Sequence, residues 1–163
     1  GKGFAVQVGL RLIRGNLVAI QDADGEYPPS QLSTLFNALE DPEVEVCFGS
    51  RFKGSYEGMP LTHYIANRLL SIAASAVLLR RISDVMTGAK AWKRRLNDQV
   101  KLESRGFAIE VELAMKLIPK SRRFVEVPFQ YRRRRKGAAK IKPIDFIKSL
   151  LAILRYGLLQ RTT

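Results

Sequence analysis

Apolar residues along the chain follow two periods, one typical of helices and the other of buried strands. The helical period predicts helices at residues 4–13, 32–39, 63–81, 109–118 and 143–160. Short apolar runs predict strands at residues 17–21, 44–48, 87–92 and 124–130. The segment 54–60 is predicted to be a loop. Because helices and strands alternate, we expect an α/β fold with a mostly parallel sheet.

The first predicted strand ends in three carboxylates. Asp22 and Asp24 follow it directly, and Glu26 comes after the turn residue Gly25. Side chains alternate along an extended chain, so Asp22 and Asp24 point to the same side, and the turn allows Glu26 to fold back towards them. Such oxygen ligands suit Mg²⁺ or Mn²⁺, which proteins hold with one or two carboxylates together with substrate phosphates. A solvated acidic turn has the same local pattern.

Length and composition predict a single globular domain. The chain has 163 residues, of which 46% are hydrophobic. Cys47 is the only cysteine and His63 the only histidine, which excludes an internal disulfide and a Cys/His zinc site. We expect Cys47 to be a buried strand residue. The longest apolar run, residues 69–79, is shorter than the ~20 residues that span a bilayer. With no charged leader visible, these features favour a cytosolic setting.

Positive charge is concentrated in the last third of the chain. The formal net charge is +13, and residues 116–163 hold 14 Lys or Arg against only Glu126 and Asp145. A basic field of this kind attracts nucleic acid, anionic lipid headgroups or phosphorylated ligands, and charge alone does not distinguish them. In open α/β sheets ligands bind beyond the carboxyl ends of strands, where Asp22, Asp24 and Arg51 are expected.

Six motifs occur in a fixed order along the chain. They are Gly1-Lys2-Gly3, Gln21-Asp22-Ala23-Asp24, Gly49-Ser50-Arg51-Phe52, Ser83-Asp84-Val85-Met86-Thr87-Gly88, Gly106-Phe107 with Glu110 and Glu112, and Glu126-Val127-Pro128 with a basic loop. This order resembles the family-2 glycosyltransferases, in particular the dolichol-phosphate mannose synthase and polyprenyl-phosphate glycosyltransferase branch. The resemblance covers roughly residues 1–155.

The resemblance implies a Rossmann-like GT-A fold. Residues 1–142 would form a partial catalytic domain with a basic acceptor loop at 132–142, and residues 143–163 an amphipathic helix. Members of the family begin with a strand of the type V-x-V-V-I-P-x-Y-N-E and further elements that hold the nucleotide base. Nothing similar precedes Gly1, so we expect an amino-terminally truncated domain.

The resemblance also implies roles on the donor side. Asp22 and Asp24 match the D-x-D that binds a divalent cation on the donor diphosphate, and Glu26 stands where many relatives have a glutamine ligand. The implied donor-binding residues are Lys2, Asp22, Asp24, Arg51 and Glu112. For Lys2 an exposed terminal lysine is an equally good interpretation, and Glu112 is equally consistent with a residue on the helix surface.

On the acceptor side, the resemblance implies that the lipid phosphate is bound by Asp84, Thr87, Arg134 and Lys140. Ala139 replaces the usual serine of the R-x-x-G-x-S-K segment, so one hydroxyl contact is missing. The residues expected to carry catalysis are Asp24, Arg51 and Arg134. A solvated or nucleic-acid-binding charge run is the alternative for the basic loop.

The implied reaction needs no histidine. A lipid monophosphate is already an anion near neutral pH, so no general base has to activate it. The expected reaction transfers a hexosyl unit, mannose or glucose, from a GDP- or UDP-sugar to a polyprenyl phosphate, with inversion at the anomeric carbon.

The last predicted helix has one apolar face, formed by Ile144, Ile147, Leu151, Leu154 and Leu158. This suits a helix in the lipid interface, although an ordinary helix packed on the sheet has the same periodicity. We expect a peripheral protein at the cytosolic face of a membrane, with a membrane subunit as a further candidate partner. The alternatives are a basic nucleic-acid- or membrane-binding module without catalysis, which the motif order disfavours, and a family-2 transferase for a hydroxyl acceptor.

Overall fold

The computed structural model describes residues 1–133 and 143–159. In this part of the chain the helices are α1 (Lys2–Leu12), α2 (Leu32–Ala38), α3 (Leu61–Leu78), α4 (Ile109–Leu117) and α5 (Pro143–Leu159). The strands are β1 (Leu17–Ile20), β2 (Val44–Glu57), β3 (Lys90–Lys93) and β4 (Arg123–Arg132). Two short 3₁₀ helices, Pro29–Gln31 and Arg94–Gln99, precede α2 and follow β3.

The described strands form one sheet in the order β1-β3-β2-β4. β2 and β4 pair in parallel, whereas β3 lies antiparallel between β1 and β2. Three strands therefore share one direction, in agreement with the expected α/β fold, and β3 makes the sheet mixed. The apolar run of β3 does not reveal its direction, because side chains alternate between the two faces of a sheet in either orientation.

Alternate residues of β2 point into two separate clusters of the core. Val46 and Phe48 join Trp92 of β3 and the apolar sides of α1, α3, α4 and α5 on one face. Cys47 points to the opposite face, where Leu35 of α2 packs. Cys47 is fully buried, which confirms the prediction, and burial raises the pKa of its thiol to about 12.

Three predicted boundaries are wrong. β2 continues to Glu57, so most of the predicted loop at 54–60 is strand that pairs with β4 beyond an irregularity after Ser50. This pairing is a long-range contact, which a local apolar pattern does not contain. β3 begins three residues later than predicted, at Lys90. α3 begins at residue 61 and ends before Leu79, which adopts the left-handed conformation (φ 52°) common just beyond helix ends.

Helix α5 packs on α3 and α4 with only one of its sides. That side consists of the buried residues Ser149, Ala152, Ile153 and Tyr156. Four of the apolar positions that predicted an amphipathic helix lie elsewhere on α5, and the side chain of the fifth, Leu158, lies outside the described part of the chain. Ile144, Ile147, Leu150, Leu151 and Leu154 keep 36% to 59% of their surface exposed. These five apolar residues are therefore partly open to solvent.

Helix α3 has a similar exposed stripe. Leu70, Ser71 and Ala74 face the core, whereas Ile65, Leu69 and Ile72 are exposed. We refer to the exposed apolar residues of both helices as the α3/α5 surface, which comprises Leu61, Ile65, Leu69, Ile72, Ile144, Ile147, Leu150, Leu151 and Leu154. Across residues 1–133 and 143–159, no helix has the combination of length and apolar character needed to cross a bilayer.

Candidate active site

Asp22 and Asp24 lie just beyond the carboxyl end of β1, as the sequence predicts. Both side chains are partly exposed. The Oδ1 atom of Asp24 accepts a hydrogen bond of 3.2 Å from the backbone N–H of Glu26, across a turn in which Gly25 has a φ of 79°. Such a positive φ is readily adopted by glycine. A surface pocket of about 400 Å³ opens against this turn.

Glu26 is directed towards β4. Its carboxylate lies near Tyr131, and burial together with the charge of Glu26 raises the pKa of Tyr131 to about 12. The structure thus gives Glu26 a contact in the fold that its place beside Asp24 in the sequence did not indicate.

Four charged side chains of alternating sign lead from the aspartate turn into the core. Lys2 Nζ lies 2.6 Å from Asp22 Oδ1 and also pairs with Glu110. Glu110 pairs in turn with Lys90, which is completely buried. Burial favours the neutral form of Glu110, but the charges of Lys90 and Lys2 outweigh it and lower the pKa of this carboxyl. The pKa of Lys2 is raised, because Glu110 and Asp22 outweigh its own burial.

At two glycines near Lys2, neighbouring atoms lie so close to the backbone that a larger residue would not fit. A Cβ atom on Gly3 would lie 2.1 Å from the carbonyl oxygen of Ser104, so glycine lets the start of α1 abut that backbone. A Cβ atom on Gly88 would lie 2.3 Å from Asp22 Oδ2 and 3.4 Å from Lys2 Nζ. Gly88 therefore leaves the space that the Lys2–Asp22 pair occupies.

Arg51 and Asp84, predicted for the donor and acceptor sides respectively, form one ion pair. Nε and Nη2 of Arg51 donate to the two carboxylate oxygens at 2.7 Å each, and its backbone N–H donates to Oδ2 at 3.1 Å. The guanidinium also lies 5.7 Å from the ring centre of Phe52 and 5.5 Å from that of Tyr131. Although burial opposes its charge, Asp84 raises the pKa of Arg51. Only 7% of Arg51 is exposed, and Asp84 is fully buried.

Glu126 holds the segment that carries Asp84. Its carboxylate accepts hydrogen bonds from the backbone N–H of Ser83 at 2.9 and 3.0 Å, from the Ser83 hydroxyl at 2.8 Å and from the backbone N–H of Asp84 at 3.1 Å. Sequence reasoning noted the Glu126-Val127-Pro128 motif but assigned it no role. Lys90 was likewise missed, because a lysine within a short strand gives no local sign of burial.

Thr87 and Glu112 both have structural contacts. The Oγ1 atom of buried Thr87 accepts a hydrogen bond of 3.2 Å from the backbone N–H of Ala89. Glu112 is fully buried and accepts from the backbone N–H groups of Glu103 at 2.8 Å and Ser104 at 2.7 Å, and from Lys116 at 2.6 Å. The structure thus connects Glu110, rather than Glu112, to Lys2 and Asp22.

The predicted acceptor residues Arg134 and Lys140 lie outside the described residues. The described beginning of the basic loop is attached to the end of β2. Arg132 Nε lies 2.9 Å from the Glu57 carboxylate, and the backbone N–H of Arg133 donates to the Glu57 carbonyl at 3.0 Å.

Within residues 1–133 and 143–159, no group of three or more His, Cys, Asp or Glu side chains is arranged to hold an ion. The expected set of Asp22, Asp24 and Glu26 is therefore not assembled. Asp22 and Asp24 still present two hard oxygen ligands at one turn, and Mg²⁺ commonly combines one or two carboxylates with substrate phosphates. This donor set fits a cation that arrives with a diphosphate.

Comparison with known proteins identifies the family. The model of glycosyl transferase family 2 matches residues 1–101, more than half of the chain. The chain therefore belongs to glycosyl transferase family 2.

Two curated relatives match most of the chain. Polyprenol monophosphomannose synthase of Mycolicibacterium smegmatis is 26% identical over 156 residues, which cover 92% of this chain and 58% of the relative. Dolichol-phosphate mannosyltransferase of Pyrococcus furiosus is 28% identical over 159 residues, which cover 95% of this chain and 44% of the relative. The chain thus spans about half the length of these relatives.

A solved structure supports the fold. Glucosyl-3-phosphoglycerate synthase from Mycobacterium tuberculosis, in complex with Mn²⁺, UDP-glucose and phosphoglyceric acid, superimposes with a TM-score of 0.69. The match has 21% sequence identity and covers 96% of this chain and 55% of that protein. This likeness confirms the GT-A type of α/β fold expected from the motifs.

Proposed function

We propose that the chain forms part of a glycosyltransferase that moves a hexosyl unit from a nucleotide sugar to a polyprenyl phosphate. The observation that carries the proposal is the turn of Asp22 and Asp24 at the end of β1, with Lys2 against it, in a member of family 2. The two relatives are named for polyprenol and dolichol-phosphate mannose transfer, which favours mannose over glucose as the sugar.

The donor diphosphate would lie against the turn after β1. Held by Asp22 and Asp24, Mg²⁺ or Mn²⁺ would neutralise charge on the leaving diphosphate. Lys2 provides a further cation at the same place, because its ammonium group lies beside Asp22. The donor is a GDP- or UDP-hexose in this proposal.

The acceptor supplies its own nucleophile. An oxygen of the lipid monophosphate attacks the anomeric carbon while the bond from that carbon to the donor diphosphate breaks, and the nucleoside diphosphate leaves from the opposite face. The configuration at the anomeric carbon is inverted. Since the monophosphate is an anion near neutral pH, the protein's task is to position two anions and to stabilise the departing charge.

The protein would carry out this task with Arg51, which the fold holds in place, and with Arg134 and Lys140 of the basic loop. Arg51 is held in place by Asp84, and Glu126 holds the backbone beside Asp84. Arg134 and Lys140 remain the predicted ligands of the acceptor phosphate. Arginine suits this role because its planar group binds phosphate in a bidentate manner.

We further propose that the α3/α5 surface contacts the lipid bilayer that contains the acceptor. Soluble proteins rarely expose large contiguous apolar patches, and patches of this kind often mark membrane or protein contacts. Lys148 and Arg155 on α5 are also exposed, which suits a surface that meets anionic headgroups. In this proposal the protein lies peripherally at the cytosolic face.

A release assay tests the proposal. The full chain is incubated with GDP-mannose or UDP-glucose, a polyprenyl phosphate and Mn²⁺, and the free nucleoside diphosphate is measured. We expect Asp24→Asn to lower the rate by at least about 100-fold, and Asp98→Asn, at an exposed position, to leave it unchanged. Equal release in excess chelator would contradict the metal role.

The same assay separates the alternatives. Release that needs no polyprenyl phosphate, or that a sugar alcohol supports equally well, would favour a hydroxyl acceptor. Salt-sensitive binding to nucleic acid that survives loss of both aspartates, with no release of diphosphate, would favour the basic binding module.

A further inference from the structure

Lys2 is held between two carboxylates by the fold around it. Its side chain is 16% exposed, and it pairs with Asp22 on one side and with Glu110, 3% exposed, on the other. Glu110 is itself held by the buried Lys90. The close approach of Gly3 to Ser104 fixes the backbone next to Lys2. The ammonium group therefore has little freedom to withdraw from the aspartate turn.

This position has opposite effects on two kinds of ligand. A bare divalent cation at Asp22 must displace the ammonium group of Lys2 or lie close to it, and both cost free energy because like charges repel. A cation that arrives on a diphosphate brings negative charge, which the ammonium group attracts. Asp22 is already paired with Lys2, so this carboxylate offers less compensating charge to a bare cation.

We propose that Lys2 makes cation binding at Asp22 and Asp24 depend on the diphosphate, so that the site takes up the two together and binds the bare cation weakly. Glu110 and Lys90 act as positioning residues for Lys2. The inference rests on the proposed function of the same site, and it adds that this site accepts the cation and the diphosphate together.

The test measures binding rather than activity. Mn²⁺ alone is titrated by electron paramagnetic resonance, and the Mn²⁺–pyrophosphate complex by the relaxation of water protons, with the full chain in both cases. For Lys2→Met we expect the affinity for bare Mn²⁺ to rise about tenfold and the affinity for the complex to fall about tenfold. Lys2→Arg keeps the charge and should behave like the unmodified chain.

Two controls identify the site and the cause. Asp24→Asn should abolish both signals. Lys120 is exposed and lies beyond the carboxyl end of α4, whereas Glu110 lies near the amino end. Lys120→Met removes a positive charge there and should change neither affinity. Thermal melting checks that each variant is folded, and Lys2→Gln provides a second neutral variant if Lys2→Met is not.

Glu110→Gln tests the positioning role. It removes a negative charge and leaves Lys2 and Lys90 in place. The affinity for bare Mn²⁺ should therefore fall, whereas the affinity for the negatively charged Mn²⁺–pyrophosphate complex should be kept. A purely structural role of Glu110 would lower both affinities together.

These measurements distinguish failure of the coupling inference from failure of the proposed donor site. If the unmodified chain binds the Mn²⁺–pyrophosphate complex but Lys2→Met changes both affinities no more than Lys120→Met does, the coupling inference is overturned and the proposed donor site stands. If the unmodified chain binds neither Mn²⁺ nor the complex, the proposed donor site and the inference fail together.

Discussion

Arg51 and Asp84 lie 33 residues apart in the sequence and form a two-pronged ion pair with donor–acceptor distances of 2.7 Å. The pair joins β2 to the segment before β3. Both side chains are buried, so each charge depends on the other for compensation. The residues predicted for the donor side and for the acceptor side, Arg51 and Asp84, are therefore joined by one buried ion pair.

We expect removal of one partner of this pair to unfold the protein more easily. Asp84→Asn or Arg51→Met should lower the free energy of unfolding by about 3–5 kcal/mol, because each leaves a buried charge without compensation. The double variant should lose clearly less than the sum of the two. Urea unfolding monitored by circular dichroism gives these values.

An exposed ion pair is the matched control. Arg123 and Asp41 lie 3.0 Å apart with side chains 59% and 43% exposed. Removing Arg123 should cost less than about 1 kcal/mol. Equal losses at the buried and exposed pairs would contradict the structural role given to Arg51 and Asp84.

Gly88→Ala should impair the candidate site without unfolding the protein. The added methyl group would lie 2.3 Å from Asp22 Oδ2, so the carboxylate has to move away from Lys2. Displacement of a ligand by about 1 Å can cost about 100-fold in rate, and we expect a loss of that order in diphosphate release. Gly106→Ala is the control, since a Cβ atom there meets nothing within 4 Å. Full activity of Gly88→Ala would show that the position of Asp22 is not critical.

Glu112 should make stability depend on pH in the acidic range. Burial raises the pKa of this carboxyl, but hydrogen bonds from Lys116 and from the backbone N–H groups of Ser104 and Glu103 outweigh it and lower the pKa below its usual value of 4.5. A carboxyl with a lowered pKa in the folded state stabilises the protein above its unfolded-state pKa, and this contribution disappears as the pH falls through the folded-state pKa.

The corresponding measurement compares Glu112→Gln with the unmodified chain. Urea unfolding at about pH 7 should show a clear deficit for the variant, and this deficit should shrink progressively as the pH falls below about 4. Glu43→Gln, at a side chain that is 62% exposed, should show little difference at either pH. A deficit for Glu112→Gln that does not change with pH would mean that packing, rather than charge, explains the contribution of Glu112.

Polar substitutions on the α3/α5 surface should weaken membrane binding and leave the fold intact. Ile147 and Leu151 are 52% and 59% exposed, so changing both to Gln should alter the free energy of unfolding by about 0.5 kcal/mol or less each. Co-sedimentation with anionic vesicles that contain polyprenyl phosphate should fall about tenfold. Leu12→Gln removes a side chain that is 74% exposed on α1 and should have no such effect. If it weakens binding equally, the α3/α5 surface is not the contact.

Local features of the candidate site could be predicted from the sequence. The apolar run before Asp22 predicts a buried strand, and the strand forms, although Val18 is its only buried residue. A strand end followed by D-x-D predicts two carboxylates at an edge of the sheet. The structure places both there. The pairing of Arg51 with Asp84 could not be predicted in this way, because it depends on how the segment before β3 returns to the end of β2.

The contacts of Lys2 could not be predicted from the sequence either. In the sequence Lys2 is equally consistent with a ligand and with an exposed terminal residue, and Glu110 is separated from it by most of the chain. They meet because α1 and α4 pack on the same face of the sheet and Gly3 permits a close approach to Ser104.

The sequence by itself determined the α/β class, the approximate positions of the helices and strands, the motif order of the family and the carboxylate turn after β1, because these depend on local periodicity and on neighbouring residues. Only the tertiary structure decided the direction of β3, the exposure of the apolar faces of α3 and α5, and which charges compensate one another. Those properties depend on contacts between distant segments, and burial makes each such contact energetically significant by removing the water that would otherwise solvate the charges.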